Sequence, residues 1–278
     1  LIVSGAASGS WGQFNVELPP ILRVERQGEQ GEIAILRLNR VEKRNAINSG
    51  MMRGIKLFFT NLADEIKAVV ITGEGENFSA GLDLSELTEK DAAEGTFHSR
   101  EWHDSFHHVQ FSRVPVIAAL HGGVIGAGLE LASATHIRVA DATTFYGLPE
   151  GQRGIFLGGG GSMRLSRLIG VARVTDMMMT GRTIGAQDGY QFGFSQYLAE
   201  AGKDLEKAIE IAKRAASNAP LSNYAIIHGL PRIAEMGPDE GLFMESLVTG
   251  VVQSAKDAKI RLNDFLEKRA AKVARPKD

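Results

Sequence analysis

Two segments of this chain repeat one local pattern: "AVVITGEGENFSAGLDL" at residues 68–84 and "PVIAALHGGVIGAGLEL" at residues 115–131. Each opens on a short apolar run bounded by turn residues, the pattern of a buried parallel strand. Each then passes through a glycine-bearing loop to an Ala-Gly-Leu-acid group that predicts a helix start. A chain that repeats strand, loop and helix must stack parallel strands through crossover connections, which is an α/β architecture. The acids, Asp83 and Glu130, sit where a first helical turn favours negative charge by roughly 0.3–1 kcal/mol. That is a sufficient reason for Asp83. The same helix starts also leave backbone N–H groups unpaired, and two of them side by side would make a two-donor oxyanion hole.

The alternation extends over most of the chain. Strands are expected at residues 32–38 ("EIAILRL"), 67–72, 114–120, 136–140 and 143–146. A helix is expected over "AINSGMMRGIKLFFTNLAD", with Ile47, Met51, Ile55, Leu57, Phe58 and Leu62 as its apolar positions. From about Asp204 the pattern is helical throughout, and Pro220 and Pro238 fall near helix starts, where a missing N–H costs little. The expected organisation is a flexible extension at 1–19, an α/β core at 20–215 and a helical region at 216–278. Within the extension, Gly5-Ala6-Ala7-Ser8-Gly9 follows only three apolar residues, too few for a strand leading into a dinucleotide turn, and Trp11 stands where a further glycine is needed.

Partners are narrowed by charge and by residues that are absent. A net charge of -2 gives no whole-chain field to draw in nucleic acid or an anionic membrane. Zero cysteines exclude disulfides, zinc thiolates and a Cys nucleophile, which fits a reducing compartment. No apolar run approaches the ~18–20 residues of a membrane span. The expectation is a soluble, cytoplasmic protein without nucleic-acid or membrane partners.

A second acid, Glu150, lies in "FYGLPEGQRGIFLGGGG" among Phe145, Tyr146, Ile155 and Phe156. It reads either as a solvated loop carboxylate or as the partner of Glu130. Two partly desolvated carboxylates can add one proton and remove another near neutral pH. Other chemistries fit less well. His103 and His107 stand one helical turn apart in "HSREWHDSFHH" but complete no HExxH pattern, so no metal is expected. That helix reads as amphipathic, with Trp102 and Phe106 covering an acyl or aryl pocket. The glycine run at 158–161 lacks the Lys-Ser/Thr of a phosphate loop, and no Gly-x-Ser-x-Gly elbow is present.

"RLNRVEKRNAIN", the repeated segments with the block that follows them through "LIG", "MMMTGRTIGAQDGYQFGF" and the ending "FLEKR" come in the order found in the crotonase (enoyl-CoA hydratase/isomerase) superfamily, which the chain resembles over most of its length. The resemblance implies a crotonase-like spiral of ββα units with a C-terminal α-helical trimerisation region, assembled as a homotrimer or a hexamer. It implies an acyl-CoA substrate, with coenzyme A entering as part of the thioester and no permanently bound cofactor. By the same resemblance Glu130 and Glu150 are the catalytic acids, and the amides of Leu82 and Ala127 form the oxyanion hole. Lys43, Arg44, Ala46, Ala80, Asp83 and Leu84 would contact coenzyme A, and Lys268 in the basic tail would meet its phosphates. Two departures bear on the substrate: Ala127 stands where many relatives have glycine, and Leu157 where they have proline. Hydration of an enoyl-CoA is the leading expectation. Isomerisation, hydrolysis or C–C cleavage on the same fold, and a non-catalytic CoA- or RNA-binding role, are the alternatives.

Overall fold

The computed structural model describes residues 17–86, 91–267 and 269. Strands β1 (Leu22–Gln27), β2 (Ile33–Leu38), β3 (Ala68–Gly73), β4 (Val116–Leu120), β6 (Ile137–Asp141) and β9 (Tyr197–Ala199) form one sheet in the order β1-β2-β3-β4-β6-β9. β1 runs antiparallel to β2, and every later pairing is parallel. Period-2 alternation gives this sheet two apolar faces. Ile33, Ile35, Ala68, Val70, Ile117, Ala119 and Val139 meet Ala208, Ile211 and Ala212 of helix α7 (Asp204–Ala216). Leu36, Leu38, Val69, Ile71, Ala118 and Leu120 point the other way, into the main core. Helices α1 (Ser49–Thr60), α2 (Ala92–Gln110) and α3 (Ala127–Ala134) contribute to that core.

A smaller sheet completes a spiral of repeated units. Leaving β4, the chain turns through His121 and Gly122 into β5 (Gly123–Ile125), then enters α3. Leaving β6, it turns into β7 (Phe145–Gly147), which pairs in parallel with β5 and antiparallel with β8 (Ile184–Gly185). After β3, Ser79 bridges Val124 of β5. Each turn of the chain thus adds a strand to the large sheet and a short extended piece to the small one.

Helices α4 (Gly161–Ile169), α5 (Val171–Thr180) and α6 (Ala186–Phe192) precede β9. Beyond α7 come α8 (Pro220–His228), α9 (Leu230–Ile233), α10 (Pro238–Ser254) and α11 (Lys256–Leu266). The helical pattern is interrupted between α8 and α9 at Gly229, with Pro231, which has no N–H to continue the helix, two residues further on. Among the described residues no helix is long and apolar enough to cross a membrane.

The two repeated segments diverge at their acids. The helix expected at Ala-Gly-Leu forms in the second copy, where Ala127 is the first residue of α3. In the first copy Leu82 forms a parallel bridge with Ile47, and the described residues that follow, up to Glu86, make a 3-10 turn at Leu84–Glu86. Helix-dipole stabilisation is therefore not the role of Asp83. Its carboxylate instead accepts from the Ser85 hydroxyl at 2.7 Å and the Ser85 N–H at 3.0 Å, and pairs with Arg40 Nη1 at 2.6 Å. The Ser85 bonds, with Arg40 assisting against burial, bring its pKa down to about 2. A depressed carboxylate contributes stability above its unfolded value near 3.8, and that stability is lost as pH falls towards the folded value. Asp83→Asn is expected to cost about 2 kcal/mol at pH 7. In denaturant titrations the difference from the parent should shrink between pH 4 and pH 2.

Candidate active site

The loop at 43–47 and the segment 79–84 are stitched together by Ala80 N–H to Arg44 O at 2.9 Å, Ile47 N–H to Gly81 O at 2.7 Å and Asp83 N–H to Ile47 O at 2.9 Å. Arg44 and Asn45 take left-handed conformations, with φ of 49° and 54°, to make this tight approach. Lys43, Arg44, Ala46, Ala80, Asp83 and Leu84, the residues for which the resemblance implies coenzyme A contacts, are brought together where these two segments join, and Ala46 is buried there. Lys43, Arg44 and Leu84 are exposed, whereas Asp83 is buried and engaged with Arg40 and Ser85. Lys268 lies outside the described residues.

Leu82 and Ala127 each follow a glycine with positive φ, Gly81 at 98° and Gly126 at 49°. A Cβ on Gly81 would stand 2.9 Å from Ile125 O and 3.8 Å from Ala127 N. Only glycine allows the two segments to come this close. Neither the Leu82 nor the Ala127 N–H donates to any described residue. In α3 the first N–H groups have no intrahelical acceptor, and the sharp turn at Gly126 presents that of Ala127 beside Gly81. The Leu82 and Ala127 amides thus lie on two closely packed segments, and neither is engaged by a described residue.

Glu130 and Glu150 both line a cavity of about 380 Å³, together with Leu82, Ala127, His98, Ser99, Trp102 and residues 155–159. Glu130 lies one turn into α3 and is 4% exposed. Its Oε1 accepts from the N–H groups of Gly159 and Gly161, both at 2.8 Å. Burial pushes the Glu130 carboxyl up from its ordinary range, while the Gly161 and Gly159 amides and the charge of Arg164 pull against that rise. Gly161 begins α4, so the carboxylate also sits at a helix N-terminus, which favours its charged form.

Glu150 is 7% exposed and opens a 3-10 turn at Gly151–Arg153. Its Oε1 points at Gly126, where a Cβ would stand 2.6 Å away, and its Oε2 has no hydrogen-bond partner among the described residues. Burial, reinforced by the charge of Glu130, pushes its pKa up to about 7. The solvated-loop reading of Glu150 does not hold, because the turn folds inward over the cavity.

Trp102 lines the cavity, and Phe106 lies fully buried behind it, edge-on at 5.6 Å. Ser99 Oγ donates to Gly158 O at 2.7 Å and tethers the glycine run to α2. His103 Nε2 lies 3.3 Å from that hydroxyl. Among the described residues no three His, Asp or Glu side chains converge as metal ligands. Sequence reasoning missed the amides of Gly159 and Gly161 and the side chain of Arg164. The available signal was the glycine run itself, which precedes a helix and so leaves N–H groups free for a buried acid.

The family model described as enoyl-CoA hydratase/isomerase matches residues 28–275. A short-chain-enoyl-CoA hydratase of Clostridium acetobutylicum is 32% identical, with 87% of this chain and 94% of that protein covered. A 2,3-dehydroadipyl-CoA hydratase of Escherichia coli is also 32% identical, over 86% of this chain and 94% of its own length. A crystal structure of a candidate enoyl-CoA hydratase from Rhodopseudomonas palustris CGA009 superposes with a TM-score of 0.87 at 55% identity, covering 91% of this chain and 98% of that one.

Proposed function

The chain belongs to the enoyl-CoA hydratase/isomerase family, the crotonase superfamily, and on that premise we propose that it adds water across the 2,3-double bond of an enoyl-CoA thioester. The observation that carries this reading is the pair of buried glutamates sharing one cavity with two free backbone amides. The Leu82 and Ala127 amides receive the thioester oxygen and stabilise the charge that builds there as the β-carbon is attacked. Each such donor is worth about 3 kcal/mol. Glu130, aimed by the Gly159 and Gly161 amides, accepts a proton from the attacking water. Glu150, protonated below about pH 7, delivers a proton to the α-carbon. No proton donor other than these side chains is needed, because water supplies the hydroxyl and one proton is regained by the enzyme.

Coenzyme A is held along residues 43–46 and 80–84 as part of the substrate, with no separate cofactor. The acyl group extends towards Trp102, Phe156 and Leu157. Assembly into trimers would cover Leu242, Phe243, Leu247 and Val251, which α10 leaves exposed. Retention of both acids favours hydration over isomerisation, which can proceed with one. The test is a panel of short, long and cinnamoyl-type enoyl-CoA thioesters, followed by loss of conjugated absorbance and by product mass. A product heavier by one water supports the proposal. A product of equal mass identifies an isomerase.

A further inference from the structure

The cavity accounts for one side of the glycine run at 158–161. On its other side lies a side chain that the chemistry above does not use. Arg164, on the first turn of α4, is 8% exposed. Its Nη1 donates to Gly159 O at 2.8 Å, and its Nε donates to Gln110 Oε1 at 2.7 Å, at the end of α2. Gly159 therefore bridges two charges, its N–H on Glu130 and its carbonyl on Arg164. A Cβ on Gly160, whose φ is 90°, would stand 2.6 Å from Arg164 Nη1, so the run is also packed against the guanidinium. Burying a cation this deeply costs several kcal/mol unless an anion and hydrogen bonds compensate it, and no salt bridge of Arg164 to an Asp or Glu forms among the described residues. The charge of Glu130, which lies across the Gly159 peptide, favours the cationic form of Arg164 against its burial.

We infer that Arg164 is a positioning residue for hydration: anchored by Gln110, it fixes the Gly159 peptide so that the Gly159 and Gly161 amides aim Glu130 at the water, and it balances the charge of that glutamate. The inference rests on the reading that Glu130 activates the water. Glu150 from the turn after β7, with Arg153 beside it, and His98 from α2 share the cavity of the carboxylate, whereas His103 and His107 of α2, Arg167 of α4, Arg232 of α9 and Glu235 line the groove on the side of Arg164. None of these replaces the contact of Arg164 with the glycine run.

The test compares the parent enzyme with Arg164→Met, Arg164→Lys, Gln110→Met and Glu130→Gln on the best thioester. For each, kcat, KM and the pH dependence of kcat/KM are measured. Arg164→Met should lower kcat about 10²-fold, as expected for a misplaced catalytic group, with KM within about twofold. Its acid limb should move to higher pH by about one unit, because Glu130 loses a cation that favours its ionised form. Arg164→Lys should return the limb towards the parent while kcat stays reduced, since one ammonium cannot hold Gly159 and Gln110 in a fixed fork. An unmoved limb in Arg164→Met, with Glu130→Gln inactive, overturns the role of Arg164 alone. Full turnover in Glu130→Gln overturns the reading beneath it. Should Arg164→Met fail to fold, Gln110→Met carries the test: a severalfold lower kcat at constant KM with the limb raised supports the role, and parent-like kinetics overturn it.

Discussion

Glu130→Gln and Glu150→Gln are each expected to lower turnover of a good enoyl-CoA by about 10²–10⁴-fold, equivalent to roughly 3–5 kcal/mol of barrier, while binding of coenzyme A thioesters stays nearly unchanged. Both variants should fold. A glutamine oxygen at position 130 can accept the same two N–H groups, at 2.8 Å in the parent, and it lacks only the ability to take a proton. At position 150 the parent leaves Oε2 without a partner, so the amide breaks no existing bond. The two variants differ in their pH profiles. Parent turnover should fall as pH rises through about 7, where Glu150 loses its proton; residual activity of Glu150→Gln should lack that limb. Full activity in either variant removes that glutamate from the mechanism.

Gly126→Ala should produce a comparable loss through the backbone. Gly126 has φ 49° and ψ −120°, a region that residues with a Cβ enter at a cost of order 1–3 kcal/mol. The added carbon would also stand 2.6 Å from Glu150 Oε1. Relief must push the carboxylate away or turn the Ala127 amide, and either displaces a group that touches substrate. Turnover should fall by about 10²-fold, and the melting temperature by about 2–4 °C per kcal/mol lost. Gly170→Ala separates the two effects. Its φ is 85°, yet nothing lies within 4 Å of a Cβ there, so it should lower stability and keep turnover. Equal turnover loss in both variants would mean that strain, not the position of Glu150, governs the rate.

What could be read from the sequence follows from how local its causes are. The strands of the large sheet are apolar runs whose burial comes from period 2, and residues 32–38, 67–72 and 114–120 declare them directly. The repeated Ala-Gly-Leu-acid group pointed to both segments but not to one register: in the first copy the positive-φ glycine is its own Gly81, and in the second it is Gly126, one residue before the group. The same letters misled at Asp83. Whether a helix follows depends on what the chain pairs with next, and Leu82 pairs with Ile47. The burial of Glu150 was not legible either, since "LPEGQRG" reads as an exposed turn and only the fold brings it over Gly126. Arg164 was hidden for a related reason. Its partners at 110 and 159 lie on separate elements, and a main-chain carbonyl leaves no mark in a sequence.

Glu130 directs the water and Glu150 the proton from one side of the double bond in this mechanism, so its stereochemistry is the most direct test. A 2-enoyl-CoA is hydrated in D2O, and the 3-hydroxyacyl product is examined by NMR at C2 and C3. The mechanism predicts a single diastereomer, with one deuteron at C2 on the face that received the hydroxyl at C3. A mixture at C2, addition across opposite faces, or recovery of an isomer without added water would contradict it.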